Sequence, residues 1–196
     1  IDKDLVDLVA QIDGGQVGAL LIAGANPAYN FYDADKFKAA LKKVKLSVSF
    51  AEKMDETTEL CNYIVPTHHY LESWGDAEPC SGCTSFIQPT IYPLFKTRPF
   101  QTSLLRWNGD NKDYETYFKE YWTGKLGSEE AYYKALQDGI REEAPPTVSA
   151  GTYNSAGEAT AASAISVYKK GTGGELVMYQ KVSIGTGAQA GNPWLQ

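Results

Sequence analysis

The sequence predicts an α/β protein with a doubly wound, mostly parallel sheet, because helix and strand patterns alternate three times near its start. Apolar residues at helical spacing over 5–12 precede the strand-length run VGALLIAG. A second helix pattern starts at Ala34 and leads into the strand KLSVSF. A short helix over 55–61 then precedes NYIVP, a third strand that ends at Pro66.

Composition and charge exclude several classes of protein. The chain has 196 residues, of which 43% are hydrophobic, so it can bury a core of ordinary size. Its net charge is -6, which would repel the phosphates of nucleic acid, so we expect no nucleic-acid partner. No apolar run approaches the roughly 18 residues that a membrane span requires. The chain starts without Met and stops at GNPWLQ, so we expect a fragment at both ends.

The remaining chain predicts helices, a linker and a second domain. Three helices are expected over 100–107, 113–122 and 128–140, and they should cover one side of the sheet. Together these patterns predict an α/β domain with helical padding over 1–143, an Ala/Gly/Ser/Thr-rich linker over 144–174 and the start of a β-barrel-like domain over 175–196. One strand, AISVYKK, is predicted inside the linker, and another, ELVMYQKVSIG, opens the last part. Helical spacing of the aromatic residues favours packing over a contact surface.

The pair Cys80 and Cys83 has the spacing of a metal-binding or redox dithiol. Tetrahedral zinc and iron-sulfur clusters need more ligands, and the third cysteine, Cys61, is expected in an apolar strand. A site that adds His68 or His69 can be drawn, and a local disulfide is a second alternative. Plain loop thiols are the favoured interpretation, so no metal ligand is assigned.

Other candidate groups also have a structural interpretation. The pair His68 and His69 could supply a general base, although surface or hydrogen-bonded histidines are favoured. The loop from Gly24 to Pro27 follows a strand but lacks the GxGxxG spacing of a phosphate loop. Five carboxylates gather near the ends of the second and third strands, where open α/β sheets bind ligands, and helix capping or solvation is favoured for most of them: Asp55, Glu56, Glu59, Glu72 and Asp76.

Three segments in order resemble the third domain of the molybdopterin oxidoreductase superfamily. They are GANPAYNFYDADKFKAALKKVKLSVSF, DETTELCNYIVPTHHYLESWGD and SFIQPTIYPLF. That family has an N-P loop, a T/D-E-T-A helix, an A-D-x-V-L-P strand, a Leu-Glu pair and a Q-P segment in the same order. The resemblance spans residues 17–107, and the closing NPWLQ resembles the entry into the family's fourth, β-barrel domain.

Within the superfamily, HHYLESWGD, QPTIYPLF and NPWLQ are most similar to the iron-sulfur subunit of alternative complex III, a quinol:electron acceptor oxidoreductase. This resemblance implies a structural, cofactor-less molybdopterin-like part of that subunit, with the iron-sulfur clusters in the rest of it and haem c in partner subunits. It implies multihaem and monohaem cytochrome c subunits and polytopic quinol-binding membrane subunits as partners, with a terminal oxidase as a further candidate. The implied location is the periplasmic face of the bacterial inner membrane.

One departure from the family pattern bears on the cofactor. Active members carry an Asp four residues before the T-E-T-A helix, where it accepts hydrogen bonds from a guanine edge, and here that position is Ala51. We therefore assign no catalytic, metal or cofactor-binding residue. If a pterin nucleotide is retained, the resemblance points to Gly24, Asn26, Glu52 and Asp55 as its contacts.

Two other functions compete with the structural one. The first is the cofactor-covering part of an active molybdopterin oxidoreductase, such as a polysulfide or thiosulfate reductase. The second, a free-standing nucleotide-binding α/β protein, requires a complete phosphate loop that the sequence lacks. Molybdenum, tungsten and pterin contents separate the structural subunit from the active enzyme.

Overall fold

A computed structural model describes residues 2–144, 147, 151–153, 156–167, 171, 173–174, 176–182, 185, 187, 192 and 194. The chain divides into two units, residues 1–144 and 145–196. Within the described residues, no helix is long and apolar enough to span a membrane.

The first part of the chain forms a three-stranded parallel sheet with strand order β1-β2-β3. A 3-10 turn at Thr58–Leu60 precedes the third strand. The elements in chain order are α1 (Asp2–Asp13), β1 (Ala19–Ala23), α2 (Pro27–Asn30), α3 (Ala34–Leu41), β2 (Leu46–Phe50) and β3 (Tyr63–Ile64). The predicted helix-strand repeats and their parallel pairing are therefore confirmed.

The apolar faces of α1 and α3 form a mostly aliphatic cluster with one side of β1, here called the aliphatic cluster although it includes two phenylalanines. Val9 and Ile12 of α1, Ile22 of β1 and Phe37 and Leu41 of α3 are all buried in it. Their spacing of three or four residues along each helix places them on one face, which explains why the helical pattern was readable from the sequence. Burial of this face against the sheet supplies the stabilisation that helices of this length lack in isolation.

A second, antiparallel sheet has strand order β4-β5-β6. Its strands are β4 (Gly75–Cys80), β5 (Cys83–Ile87) and β6 (Ile140–Glu142). The β4–β5 register shifts between Ala77 and Cys80, in the stretch that contains Pro79, which cannot donate a ladder hydrogen bond. The sequence predicted short strands and loops here, and the structure arranges them as a hairpin joined by a distant strand.

Three helices follow the hairpin and confirm the predicted ones: α4 (Phe100–Trp107), α5 (Tyr114–Leu126) and α6 (Glu129–Asp138). Asp113 and Ser128 cap α5 and α6 by accepting hydrogen bonds from backbone N–H groups three residues on. Both helices end at glycines with positive φ, Gly127 (89°) and Gly139 (73°). The last helix therefore stops before Ile140, which begins β6.

The expectation that all three helices cover the parallel sheet is wrong for α5 and α6. Phe118 and Trp122 of α5 and Tyr132 of α6 pack with Phe86 of β5 in an aromatic cluster on the antiparallel sheet. In contrast, α4 contacts the parallel sheet, since Phe100 lies 4.7 Å from Phe50 of β2 between ring centroids. Helical spacing predicted the buried face of each helix, but not which sheet it meets.

The second unit contains α7 (Ala156–Ser166), where the sequence predicted a linker with a strand at 164–170. That strand is wrong at residues 164–166, which are helical, because the Ala-rich run AGEATAASAIS has high helix propensity. Residues 168–170 lie outside the described part. The strand predicted over 175–185 is absent at residues 176–182, and most of the NPWLQ segment lies outside the described residues. The linker and barrel-like domain boundaries stay predictions.

Candidate functional site

The loop between β1 and α2 reaches the end of the parallel sheet and holds two of the predicted nucleotide contacts. Gly24 adopts φ 62°, a left-handed conformation that residues with a Cβ rarely take. A Cβ built there would meet no atom within 4 Å, so backbone conformation, and not close approach, accounts for this glycine. Asn26 follows at the start of α2, and Pro27 occupies the first turn of that helix.

The side chain of Asn26 makes its hydrogen bonds to the segment that follows β2. Its Oδ1 accepts hydrogen bonds from the hydroxyl of Thr57 (2.7 Å) and from the backbone N–H of Thr57 (3.2 Å). Its Nδ2 donates to Oε2 of Glu56 at 2.7 Å. This bond is the main reason that the pKa of Glu56 lies below its usual value. Both ends of the Asn26 amide therefore have partners within the protein.

Thr57 completes the network from the interior, where it is fully buried. Its hydroxyl oxygen accepts a hydrogen bond from the backbone N–H of Ala28 at 2.9 Å while donating to Asn26. The neighbouring Thr58 hydroxyl lies 2.8 Å from that of Ser49 at the end of β2, and both groups are buried. Burying hydroxyls is tolerable because each one is hydrogen-bonded.

The Asp55 carboxylate lies beside this network and acts as a backbone cap. Its Oδ1 accepts from the N–H of Thr58 at 2.7 Å and from the N–H of Thr57 at 3.1 Å. These bonds fix the turn that leads to β3, as a capping carboxylate does at the start of a helix. The structure therefore joins Asn26, Glu56, Thr57 and Asp55 in one hydrogen-bonded group, here called the Asn26–Thr57 network.

Glu52 lies apart from the Asn26–Thr57 network and is exposed. It lines an open cleft of about 290 Å³ together with Thr67, His68, Tyr70, Ser73, Trp74, Gly75, Asp76, Ile87, Pro99, Phe100 and Gln101. The other three predicted nucleotide contacts, Gly24, Asn26 and Asp55, are not among its lining residues.

The histidine pair is held by hydrogen bonds within the protein. Nδ1 of His68 lies 2.6 Å from the hydroxyl of Thr97, and Nδ1 of His69 accepts from the backbone N–H of Leu71 at 3.3 Å. The Glu72 carboxylate accepts from the backbone N–H groups of Leu94 and His69, both at 3.0 Å. These contacts match the favoured interpretation of hydrogen-bonded histidines.

The surroundings lower the pKa values of both His68 and Glu72, for different physical reasons. Burial lowers the pKa of His68, and the Glu72 carboxylate 4.0 Å away opposes that effect. The backbone N–H of Leu94 is the main cause of the lowered pKa of Glu72. We expect a neutral His68 beside an ionised Glu72 at neutral pH.

The cysteines do not gather around a metal. Cys80 and Cys83 face each other across the β4–β5 hairpin as free thiols, while the Cys61 thiol donates to the backbone oxygen of Thr57 at 3.4 Å. Cys61 caps the 3-10 turn before β3 begins, so the strand expected for it is wrong, and it lies where the predicted helix over 55–61 ends. Across the described residues, no group of three or more His, Cys, Asp or Glu side chains is placed to hold a metal ion.

The residues present do not fit the guanine end of a pterin nucleotide. Asn26 uses both amide atoms internally, and Asp55 accepts two backbone N–H groups. Ala51 provides no acceptor at the position where the family pattern has Asp. Glu52 could accept a hydrogen bond, but it faces the separate cleft.

Sequence reasoning missed the most connected residue of the Asn26–Thr57 network. In the sequence, Thr57 stands out only as part of the Asp-Glu-Thr-Thr motif, and local patterns do not mark it as a buried hydrogen-bonding centre. A threonine pair directly after Asp-Glu is the available signal, because buried hydroxyls in such a turn need nearby partners. The partner of the Thr57 hydroxyl, Asn26, lies 31 residues away in sequence and cannot be identified by local spacing.

Comparison with known proteins identifies the class of subunit that the chain resembles. No family model matches the chain. It is 31% identical over 116 residues to the menaquinone reductase, molybdopterin-binding-like subunit of Nitratidesulfovibrio vulgaris. The match covers 56% of this chain and 17% of that relative. The predicted resemblance to molybdopterin-type subunits is therefore confirmed, for a chain that spans about a sixth of the relative's length.

Among solved structures, acetylene hydratase from Pelobacter acetylenicus aligns with a TM-score of 0.43 and 18% sequence identity. The alignment covers 71% of this chain and 20% of that enzyme.

Proposed function

We propose that this chain is a structural, cofactor-less molybdopterin-like part of the iron-sulfur subunit of a membrane complex that oxidises quinol and passes electrons to c-type haems. In this role the α/β unit positions neighbouring parts of the complex and carries no redox centre of its own. The resemblance to alternative complex III supplies the finer assignment. Multihaem and monohaem cytochrome c subunits, polytopic quinol-binding subunits and a terminal oxidase are the proposed partners, at the periplasmic face of the inner membrane.

The Asn26–Thr57 network is the observation that carries the cofactor-less proposal. Asn26 and Asp55 belong to the positions at which the family pattern implies nucleotide contacts. Here they hydrogen-bond to Glu56, Thr57 and the backbone at distances of 2.7–3.2 Å. Freeing Asn26 and Asp55 for a ligand would take partners away from the buried hydroxyl and backbone N–H of Thr57 and the buried N–H of Thr58. Each buried group left without a partner costs about 1–3 kcal/mol.

The relative supports a quinone-linked respiratory role, since its name describes a molybdopterin-binding-like subunit of a menaquinone reductase. That name also favours a second candidate function, in which the intact complex reduces menaquinone instead of oxidising quinol. The two candidates share the structural role of this chain and differ in the direction of electron flow. Steady-state assays of the intact complex with quinol and with a reduced electron donor distinguish them.

An active molybdoenzyme, such as a polysulfide or thiosulfate reductase, is the alternative from another class. Elemental and cofactor analysis of the intact purified complex separates it from the proposal. We expect iron and haem in stoichiometric amounts and no molybdenum, tungsten or pterin per copy of this subunit. One equivalent of pterin with molybdenum or tungsten would overturn the cofactor-less proposal.

The variant Asn26→Ala sharpens that test in the same complex. If the network is structural, the variant lowers the unfolding temperature of the subunit and leaves electron transfer per assembled complex unchanged. If the network contacts a cofactor, the variant instead lowers the pterin content and activity together. Asn108→Ala, at the end of α4, serves as a matched control.

We also propose that the parallel sheet belongs to the doubly wound sheet of the whole subunit. Residues 47–50 of β2 are all buried, so both faces of that strand are covered. In contrast, Leu21 of β1 is 45% exposed and Ile64 of β3 is 41% exposed. Strands at the edges of a sheet that bear exposed apolar residues are expected to meet further chain.

A further inference from the structure

The end of the β4–β5 hairpin brings two cysteines together. Cys80 and Cys83 are direct register partners in the antiparallel ladder, joined by a two-residue turn in which Gly82 adopts φ 83°. The turn is held from two sides: the N–H of Gly82 donates to Oε1 of Glu78 at 2.9 Å, and the oxygen of Gly82 accepts from the N–H of Glu143 at 2.6 Å. The relative placement of the two thiols is therefore fixed by backbone pairing.

This placement satisfies the geometric requirement for a disulfide. Direct partners in an antiparallel ladder have Cα atoms about 4.5–5.5 Å apart. Disulfides span Cα separations of about 4.4–6.8 Å, and direct ladder partners fall within that range. Both cysteines are free thiols, so the pair is in its reduced state.

The two thiols differ in accessibility, which gives them different roles. Cys80 is exposed, whereas Cys83 is half-buried. Burial, assisted by Cys80, Glu142 of β6 and Glu78 of β4, raises the pKa of Cys83. Because the thiolate is the nucleophile in exchange reactions, the exposed Cys80 is the sulfur that meets an incoming disulfide, and Cys83 reacts second from within the hairpin.

We propose that Cys80 and Cys83 form a thiol-disulfide exchange site that closes to an intramolecular disulfide when it meets an organic disulfide. Cys80 loses its proton and attacks one sulfur of the organic disulfide, forming a mixed disulfide and releasing one thiolate, which takes up a proton. Cys83 then loses its proton and attacks the Cys80 sulfur, releasing the second thiol. The cysteine pair loses two electrons and two protons, and the organic disulfide gains them as two thiols.

Formation of the Cys80–Cys83 disulfide would constrain the β4–β5 hairpin, which packs against the aromatic cluster. The hairpin that the disulfide would lock also carries Asp76, whose Oδ2 accepts from Nε1 of Trp122 at 2.8 Å. Phe86 of the same hairpin packs against Trp122 with ring centroids 4.8 Å apart. We expect oxidation to slow local opening of β4 and β5, which hydrogen exchange of their backbone amides measures.

The primary test is a redox titration of the intact subunit in its complex. The protein is equilibrated with reduced and oxidised glutathione at varied ratios, and free thiols are then alkylated. After proteolytic cleavage that separates Cys61 from the pair, mass spectrometry measures the alkylation of each cysteine-containing peptide. We expect Cys80 and Cys83 to lose alkylation together as the ratio becomes oxidising and to regain it after reduction. Continued alkylation of both at every ratio, or a stable glutathione adduct on each, overturns the proposal.

Single-cysteine variants then test the order of the two steps. Cys83→Ser should accumulate a glutathione adduct on Cys80, because the resolving thiol is missing, while Cys80→Ser should show a large loss of adduct formation. Cys61→Ser is the matched control and should leave the titration of the pair unchanged. Equal adduct formation at Cys80 and Cys83 in the two variants would contradict the assigned order. Whether the disulfide forms at all is tested by the wild-type titration, without any variant.

Discussion

The aliphatic cluster on the parallel sheet and the aromatic cluster on the antiparallel sheet solve the same burial problem differently. In the first, Val9, Ile12 and Phe37 are buried in the same cluster as Ala28, whose N–H donates to Thr57 of the Asn26–Thr57 network. The hydroxyl and amide groups of that network have partners. In the second, the ring of Trp122 is buried and its Nε1–H donates a hydrogen bond to Asp76. Within residues 2–144, the buried Thr123 hydroxyl and Nη1 of Arg141 lack hydrogen-bond partners, and both lie in this second region.

The two regions should therefore be destabilised by different kinds of substitution. Apolar area stabilises the aromatic region, and its few polar groups are incompletely satisfied. The parallel-sheet region depends on a chain of specific hydrogen bonds that joins two loops separated by 31 residues. We therefore expect volume changes to dominate in the aromatic cluster and loss of single oxygen atoms to matter most at the strand ends.

The largest effect is expected from Trp122→Ala. The indole is 2% exposed, so its removal leaves a cavity and should lower the free energy of unfolding by about 3–5 kcal/mol. Urea unfolding followed by circular dichroism measures this loss. The neighbouring Tyr121 is 49% exposed, and Tyr121→Ala is the control with a small effect; equal losses for the two would mean that α5 does not pack as described.

A smaller but specific effect is expected from Thr57→Val in the Asn26–Thr57 network. The substitution keeps the shape and removes the oxygen that accepts from Ala28 and donates to Asn26. Leaving the buried N–H of Ala28 without a partner should lower the free energy of unfolding by about 1–3 kcal/mol. Thr90→Val, at an exposed position, is the matched control. A neutral Thr57→Val would refute the structural role of the hydroxyl.

The group around His68 makes the free energy of unfolding depend on pH, which the hydroxyls of the Asn26–Thr57 network do not. Because the pKa of His68 is lowered in the folded protein, the unfolded chain binds the proton first as pH falls. Stability should therefore fall from about pH 6.5, the ordinary histidine value, down to the folded pKa. The lowered pKa of Glu72 gives a second loss below its ordinary value near 4.5.

His68→Gln isolates the histidine term, since glutamine stays neutral and can still meet Thr97. The midpoint of urea unfolding, measured between pH 7.5 and pH 5, should decline less in this variant than in the wild type. An unchanged pH slope would show that His68 is not the titrating group.

The smallest effect is expected at the surface of α6. Nζ of Lys134 lies 2.8 Å from Oδ2 of Asp138 in an exposed pair one helical turn apart. Lys134→Ala should change the free energy of unfolding by less than about 0.5 kcal/mol, because water and salt screen such pairs. A loss above about 1 kcal/mol in the same urea assay would mean that this pair supports packing in the cluster.

Local patterns predicted most elements but few long-range contacts. The strands β1 and β2 and the helices α1, α3 and α4–α6 follow apolar periodicity, caps and stop signals that lie within a few residues of each other. The Ala164–Ser166 segment shows the limit, since it was predicted as part of a strand while the alanines before it favour the observed helix. The candidate site was half predictable: Asn26 and Asp55 were named from the motif order, whereas their partner Thr57 depends on how two loops meet.

By itself the sequence determined the mixed α/β class, the parallel pairing of the first strands and the resemblance to molybdopterin-type subunits. These properties depend on residue order and periodicity, which the chain carries in every conformation. The tertiary structure alone decided that α5 and α6 pack on the antiparallel sheet and that Cys80 faces Cys83. It also decided that the side chain of Asn26 is hydrogen-bonded to Thr57 and Glu56. Such contacts follow from the register and crossing of distant segments, and a change of one residue in register would turn each side chain to the opposite face.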